Sequence, residues 1–187
     1  MNCHKGSEFE REICRILSRW WTSGERDDVF WRSSQSGGRA TQRAKVNLTT
    51  YGSYGDITAL DPIGAPLLRL FTIELKRGDS HGFAGDLMDF TKDRSHHPFL
   101  KCLAQATRSH EQAKSISWML ISKRDRRRAL VHVKSSIIKS LLGWKKPSTP
   151  IALVSCPPYD FAMMGLEDFL VEVPPSKIIE KLNEYEH

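Results

Sequence analysis

Apolar and polar positions alternate along LLRLFTIELK, with Leu67, Phe71, Ile73 and Leu75 on one side and Thr72, Glu74 and Lys76 on the other. This period-two pattern predicts a strand with one face in a core, and it places Glu74 and Lys76 on a shared face roughly 7 Å apart. Upstream, DITALD reads as a second strand, and the intervening DPIGAP carries the proline and glycine of a turn. The two runs are therefore expected to form a hairpin. Centred near Ala65, its directly paired partners have residue numbers summing to about 130 by antiparallel counting. Asp56 then faces Glu74, Ile57 faces Ile73, and Ala59 faces Phe71. One face is apolar, while two carboxylates and an ammonium collect on the other. Opposed like charges are unfavourable unless something cationic joins them, and a divalent metal would do so.

A second pattern lies at the start of the chain. In SEFEREICRILSRWW, Phe9, Ile13, Ile16, Leu17, Trp20 and Trp21 have the spacing of an amphipathic helix. Ser7 is the expected N-cap, and the acids that follow suit the helix dipole. At about 100° per residue, Glu8 and Glu12 fall on the polar side with Arg15 and Arg19. Glu10 falls inside the apolar arc, beside Ile13, Cys14 and Leu17. A carboxylate there is costly unless it binds a metal or is paired, and an ordinary ion pair to an arginine is the alternative. Glu-x-Lys on a strand is also what a solvated face looks like, so the third carboxylate is what gives the pair weight.

Further along, PFLKCLAQATRSHEQAKS is expected to be helical, SWMLISK a strand, DRRR a turn and ALVHVK another strand. HGFAGDLMDFTKDRSHHP lacks any metal-histidine spacing and reads as surface loop with a short helix. The tail suggests a strand in IALVSC, a turn at PPYD, a strand in FLVEV and a helix in SKIIEKLNEYE. Trp118, Trp144 and Phe161 are most simply core or interface.

Charge and cysteine content narrow the picture. The 187-residue chain carries a net charge of +6, with pI about 9.2, which favours a polyanionic partner without proving one. Cys3, Cys14, Cys102 and Cys156 show neither CxxC nor zinc-ligand spacing and read as thiols in a reducing compartment. There is no signal peptide or long apolar run, so a cytoplasmic protein with no membrane contact is expected. From Val29 to Gly55 no acidic residue occurs, yet Arg32, Arg39, Arg43 and Lys45 lie among Ser, Gly, Gln and Thr. That segment could order on a phosphate backbone or remain a solvated loop. Lys123, Arg124, Arg126, Arg127 and Arg128 crowd a hairpin tip, as a phosphate clamp or a solubilising turn.

With KGSEFERE, then GD, then IELK, the chain resembles the PD-(D/E)XK nuclease superfamily, and its opening helix is most similar to that of archaeal-type Holliday junction resolvases. The likeness covers roughly the first half of the chain. Gly55 stands where the proline of the superfamily name would be, and the stretch before Asp56 is longer than in compact resolvases. The resemblance implies an α/β fold with a restriction-endonuclease-like core, a central mixed β-sheet flanked by helices, and an N-terminal helix carrying a catalytic glutamate. It implies Glu10, Asp56, Glu74 and Lys76 as catalytic residues. Glu10, Asp56, Glu74 and the carbonyl of Leu75 would hold Mg²⁺, with Mn²⁺ able to substitute. Gln105 lies where some relatives carry a polar active-site residue, but the tyrosine that accompanies it in the exonuclease branch is missing, and it stays outside the candidate set.

The expected organisation is a single nuclease domain over 1–187, with a basic loop at about 32–55 and a C-terminal extension at about 148–187. The implied activity is Mg-dependent hydrolysis of DNA phosphodiesters, leaving 5′-phosphate and 3′-hydroxyl ends. Branched or junction DNA cut by a homodimer is the favoured substrate, in recombination or repair. The setting would be nucleoid-associated, or phage-encoded within a host cell. A restriction-type endonuclease is the enzymatic alternative, and a basic DNA-binding module without catalysis is the alternative of another class.

Overall fold

A computed structural model describes residues 3–33, 54–91, 93, 96–143 and 147–186. The chain opens with α1 (Cys3–Trp21), whose Phe9, Ile13, Cys14 and Leu17 are buried while Glu8, Glu12, Arg15 and Arg19 are exposed. The helical wheel is thus reproduced, but the start is not. Ser7 lies inside the helix instead of capping it, because the preceding residues hold no proline to stop the helix from extending back to Cys3. Buried Ser18 donates to the Cys14 carbonyl (2.8 Å) and accepts from Phe30 N–H (2.9 Å), tying α1 to the next strand. Trp20 and Trp21 donate their indole N–H groups to the carbonyls of Leu170 and Ile63. These anchors fix the rotation of α1, and therefore the direction in which Glu10 points.

Two short strands follow, β1 (Phe30–Arg32) and β2 (Ile57–Ala59), paired antiparallel with Phe30 opposite Ala59 and Arg32 opposite Ile57. The expected hairpin is overturned here. DPIGAP is no turn between strands: a 3-10 turn at Pro62–Gly64, capped by the Asp61 side chain on Ile63 N–H, runs into α2 (Ala65–Leu70). Leu and Arg are good helix formers and Pro66 sits in the first turn, where its missing N–H costs nothing. Ile57 and Ala59 therefore partner β1 and not Ile73 and Phe71. The alternation read from Leu67 onward describes a strand only from Phe71.

That strand, β3 (Phe71–Arg77), is followed by 3-10 turns at Asp79–His81 and Ala84–Met88, α3 (Pro98–Ala113), β4 (Ser117–Lys123) and β5 (Leu130–Lys134). Next come α4 (Ser135–Leu142), β6 (Ile151–Cys156), β7 (Tyr159–Gly165), α5 (Leu166–Glu172) and α6 (Pro175–Glu186). A five-stranded mixed sheet has the order β3-β4-β5-β7-β6, with β3 and β4 parallel and the other neighbours antiparallel. Helix α3 is the crossover that the parallel pair requires. The segment after residue 148 supplies two of the strands. FLVEV is helical and not a strand: it falls in α5 and just beyond, where Glu167 and Asp168 occupy the first turn and complement the helix dipole.

The sheet separates two cores. Phe71, Ile73, Leu75, Met119, Ile121, Val131 and Val133 face α1, α2 and α4 to α6, whereas Trp118, Leu120 and Phe161 face α3 through Phe99, Leu103 and Ala106. Each of these large side chains contributes about 1.5–3 kcal/mol when fully buried. Among the described residues no helix is long and apolar enough to cross a membrane.

His132 sits on the α3 side, fully buried, with Phe99 edge-on at 4.9 Å and Ser122 Oγ 3.0 Å from Nε2. Its Nδ1 has no hydrogen-bond partner, and burial pushes its pKa down to about 3. A histidine neutral in the fold and free to charge when unfolded stabilises above its unfolded pKa of about 6.5 and loses that contribution as pH falls toward 3. Between pH 7 and pH 5 the protein should lose about 2 kcal/mol of unfolding free energy by this route. The difference between wild type and His132→Gln in urea unfolding at both pH values measures it, and an equal change in the two would place the acid lability elsewhere.

Candidate active site

Among the described residues strand β3 is an edge strand, with β4 on one side only. Its free edge meets the stretch just before β2. Asp56 N–H donates to the Ile73 carbonyl (2.8 Å), and Asp56 Oδ2 accepts from Leu75 N–H (2.7 Å). In a strand the N–H and C=O of one residue point to the same side, so the Leu75 carbonyl opens onto the edge that Asp56 occupies. This approach requires Gly55. Its φ is +81°, and a Cβ there would lie 2.7 Å from the Ile73 carbonyl oxygen and 2.9 Å from Thr72 Cγ2. A proline, whose φ is locked near −65°, could not take this place, which accounts for the residue before Asp56 in physical terms.

Glu74, on the face of β3 turned toward α3, is only 2% exposed. Its Oε2 accepts from Gln105 Nε2 (2.8 Å) and lies 3.3 Å from Lys76 Nζ, while its Oε1 accepts from Ser109 Oγ (2.7 Å). Gln105 and Ser109 are one helical turn apart on α3, which puts both over the same carboxylate. The expected sharing of a face by Thr72, Glu74 and Lys76 is seen, since Phe71, Ile73 and Leu75 enter the opposite core. From the other direction α1 delivers Glu10, its side chain 18% exposed, to Arg32 at the end of β1. Arg32 Nε stands 2.9 Å from Glu10 Oε2, yet that oxygen is buried and has no hydrogen bond among the described residues. The short distance and the missing bond are compatible: the guanidinium neutralises the oxygen from a direction off the N–H axis.

The electrostatics tie these groups together. The Asp56 carboxyl is pushed up to about 6, first by burial and then by the negative charge of Glu74, with Glu10 adding to it and the Leu75 N–H and Lys76 opposing. The Cys14 thiol is pushed up to about 12 by burial and then by Glu10, which shows that Glu10 faces inward. His81 is held below its ordinary value by burial and then by the positive charge of Lys76.

As the side chains stand, no group of three or more His, Cys, Asp or Glu among the described residues is arranged to hold a metal ion. Arg32 takes Glu10, and Gln105, Ser109 and Lys76 take Glu74. The donor set nevertheless fits a hard divalent cation. It offers three carboxylates and a backbone carbonyl, oxygen donors throughout, with an unbonded oxygen on Glu10 and an Asp56 carboxyl whose charge is costly without a cation nearby.

Of the other expected site residues, Arg39, Arg43 and Lys45 lie outside the described residues, as does Trp144. Lys123 pairs with Glu12 (3.1 Å), Arg124 stacks over the Phe83 ring (4.2 Å), and Arg128 pairs with Glu167 (2.7 Å) and Asp168 (3.6 Å). Arg126 and Arg127, both exposed, form no ion pair among the described residues. The tip is thus half neutralised by its own fold. Sequence reasoning weighed Gln105 and set it aside, and it missed Ser109. The i, i+4 spacing of Gln105 and Ser109 was the signal available.

The family described as "phage putative PDDEXK endonuclease" matches residues 2–180. No curated protein and no solved structure matches the chain. The family match takes in nearly the whole sequence, including α1, the β3 edge and the last strands of the sheet, and the mixed sheet flanked by helices is consistent with a restriction-endonuclease-like core. The chain belongs to this family of PDDEXK endonucleases.

Proposed function

We propose that the chain is a divalent-metal-dependent DNA endonuclease with its active site at the free edge of β3, acting as a single nuclease domain over 1–187. The observation that carries this reading is the collection of Asp56, Glu74 and Lys76 at one strand edge, with Asp56 held by the Leu75 N–H. Glu10, Asp56, Glu74 and the Leu75 carbonyl would hold Mg²⁺, with Mn²⁺ able to replace it. A metal ion bound there lowers the pKa of water and offsets charge developing on the phosphate. Lys76 would orient the attacking water or neutralise the phosphate. Gln105 and Ser109 would fix the rotamer of Glu74, and Arg32 would hold Glu10 until substrate and metal arrive. Arg39, Arg43 and Lys45 would contact the entering strand, and Arg126 and Arg127 a flanking phosphate.

Within that activity we favour branched DNA, in the manner of archaeal-type Holliday junction resolvases, because KGSEFERE is the most particular part of the likeness. A homodimer would supply the two symmetric nicks that a four-way junction needs, in recombination or repair inside a host cell. Restriction-type cleavage of duplex is the enzymatic alternative. Cleavage of junction, flap, nicked and duplex substrates in Mg²⁺ should show preference for the junction, and equal cutting of plain duplex would reject it. One observation favours a non-catalytic DNA-binding module instead: Glu10 and Glu74 are both paired with protein cations. Titration with Mn²⁺ separates the two, since a module held together by ion pairs would bind none.

Asp56→Asn and Glu74→Gln should each lower cleavage at least about 100-fold by weakening metal binding, and Gln105→Ala about 10-fold. DNA affinity should be unchanged or higher in both carboxylate variants, because a negative charge near the phosphates has gone. Lys76→Ala should stop cleavage yet still bind metal. Paired assays of junction binding in Ca²⁺ and cleavage in Mg²⁺ measure this, and full cleavage by a folded variant would remove that residue from the site.

The raised Asp56 value sets a pH dependence. A carboxyl protonated in the fold up to about 6, but ionising at 3.8 when unfolded, contributes stability below 3.8 that is lost as pH rises through 6, on the order of 3 kcal/mol in the metal-free protein. Metal replaces the lost proton, so stabilisation by Mg²⁺ should be small at pH 5 and grow through pH 6 to 7. Thermal unfolding with and without Mg²⁺ checks this, and a shift independent of pH would place the ion elsewhere.

A further inference from the structure

The outer face of α1 carries Arg11, Arg15 and Arg19, spaced four residues apart and therefore aligned in one row. They line a groove of about 740 Å³ whose far wall is the end of the β3–β4 pair, through Arg77 and Lys123. Five cations face two carboxylates there, Glu8 and Glu12, and Glu12 is taken by Lys123 at 3.1 Å. Arg77 is fixed by Asp125 (2.6 Å) and the Lys123 carbonyl (3.1 Å). Arg19 has only an open pair with Asp27 at 3.4 Å, both side chains more than half exposed. Arg11 and Arg15 have no anionic partner among the described residues, although Glu8 and Glu12 stand three residues before them.

Like charges at i, i+4 destabilise a helix, so the row works against the fold that carries it. It is complementary to something regularly anionic. Each step along the row is about 6 Å, and its full reach of about 12 Å spans about three phosphates of one DNA strand. The groove shares its two supporting elements, α1 and β3, with the proposed catalytic residues. Arg77 follows Lys76 directly, and Glu8 and Glu12 flank Glu10 on the same helix.

We infer that this groove binds the sugar-phosphate backbone of the DNA flanking the cleaved bond, with Arg11 and Arg15 as its principal phosphate contacts. The inference rests on DNA as the substrate of the proposed nuclease, and its test is chosen to fail separately. Duplex and junction binding is measured by fluorescence anisotropy in EDTA between 50 and 200 mM salt for the wild type, for the double variant Arg11→Gln/Arg15→Gln, and for Lys139→Gln. Both arginines are exposed, so the fold should survive the change, and exposed Lys139 lies on α4 away from the groove.

The double variant should bind at least about tenfold more weakly at low salt, with the slope of log affinity against log salt reduced by about 2, while Lys139→Gln keeps the wild-type slope. Mn²⁺ affinity should be the same in all three proteins. An unchanged slope in the double variant, an equal fall in Lys139→Gln, or no DNA binding by the wild type would each overturn the groove. Wild-type binding without cleavage in Mg²⁺ would reject the nuclease reading and leave the groove standing. Normal cleavage with an unchanged slope would do the reverse.

Discussion

An edge strand leaves a row of backbone N–H and C=O groups without partners, and the arrangement of this protein follows from how β3 meets that constraint. Asp56 covers the edge twice, with its own N–H on the Ile73 carbonyl and its carboxylate on the Leu75 N–H. The cover could have been an ordinary strand. Because it is an acid, closing the edge also brings a second negative charge to the strand that already carries Glu74. Gly55 makes the approach possible, and the β1–β2 ribbon holds it in place through the bond from Ser33 N–H to the Asp56 carbonyl. Edge closure and site construction are one event.

Bringing acids together in a buried setting is unfavourable, and the surroundings show how the cost is distributed. Glu74 is stabilised by two neutral donors from α3 and by the Lys76 ammonium. Glu10 has the Arg32 guanidinium. Asp56 has one backbone N–H and carries the residual strain as a raised proton affinity. Removing one partner from such a cluster leaves a buried charge uncompensated, which costs more than the pair contributes when intact. The cluster therefore holds its members in position.

Two elements of this arrangement were legible in the sequence because each depends on a local period. The alternation in FTIELK separates Glu74 and Lys76 from the core, and the helical wheel of SEFEREICRILSRWW turns Glu10 inward. What the pattern could not give is which strand pairs with which. Asp56 does come beside β3, but through a ribbon with β1 and not through a hairpin with β3, because LLRL takes up helix before the strand begins. FLVEV misled in the same way: five residues of mixed apolar character suit either structure, and the acidic first turn after Gly165 decided for helix. Gln105 and Ser109 were hidden for a different reason. A neutral pair at i, i+4 on a helix looks like any solvated face, and its value appears only when the crossover lays α3 across the face of β3.

Helix α1 faces two environments, and the same rotation governs both. Its apolar arc, held by Phe9, Ile13 and Leu17 and by the indole bonds of Trp20 and Trp21, sets Glu10 inward, against Arg32. The opposite arc sets the arginine row along the groove bounded by Arg77 and Lys123. Rotating the helix by one residue, about 100°, would bury an arginine and expose a core residue, so the hydrophobic packing penalises any change in either arc. A strand of DNA lying in the groove is thereby referenced to Glu10 by a rigid element and not by a loop. Positioning by a helix of this kind demands no further backbone ordering when substrate arrives, so under the proposed reading binding energy in the groove would be available to align the phosphate at the strand edge.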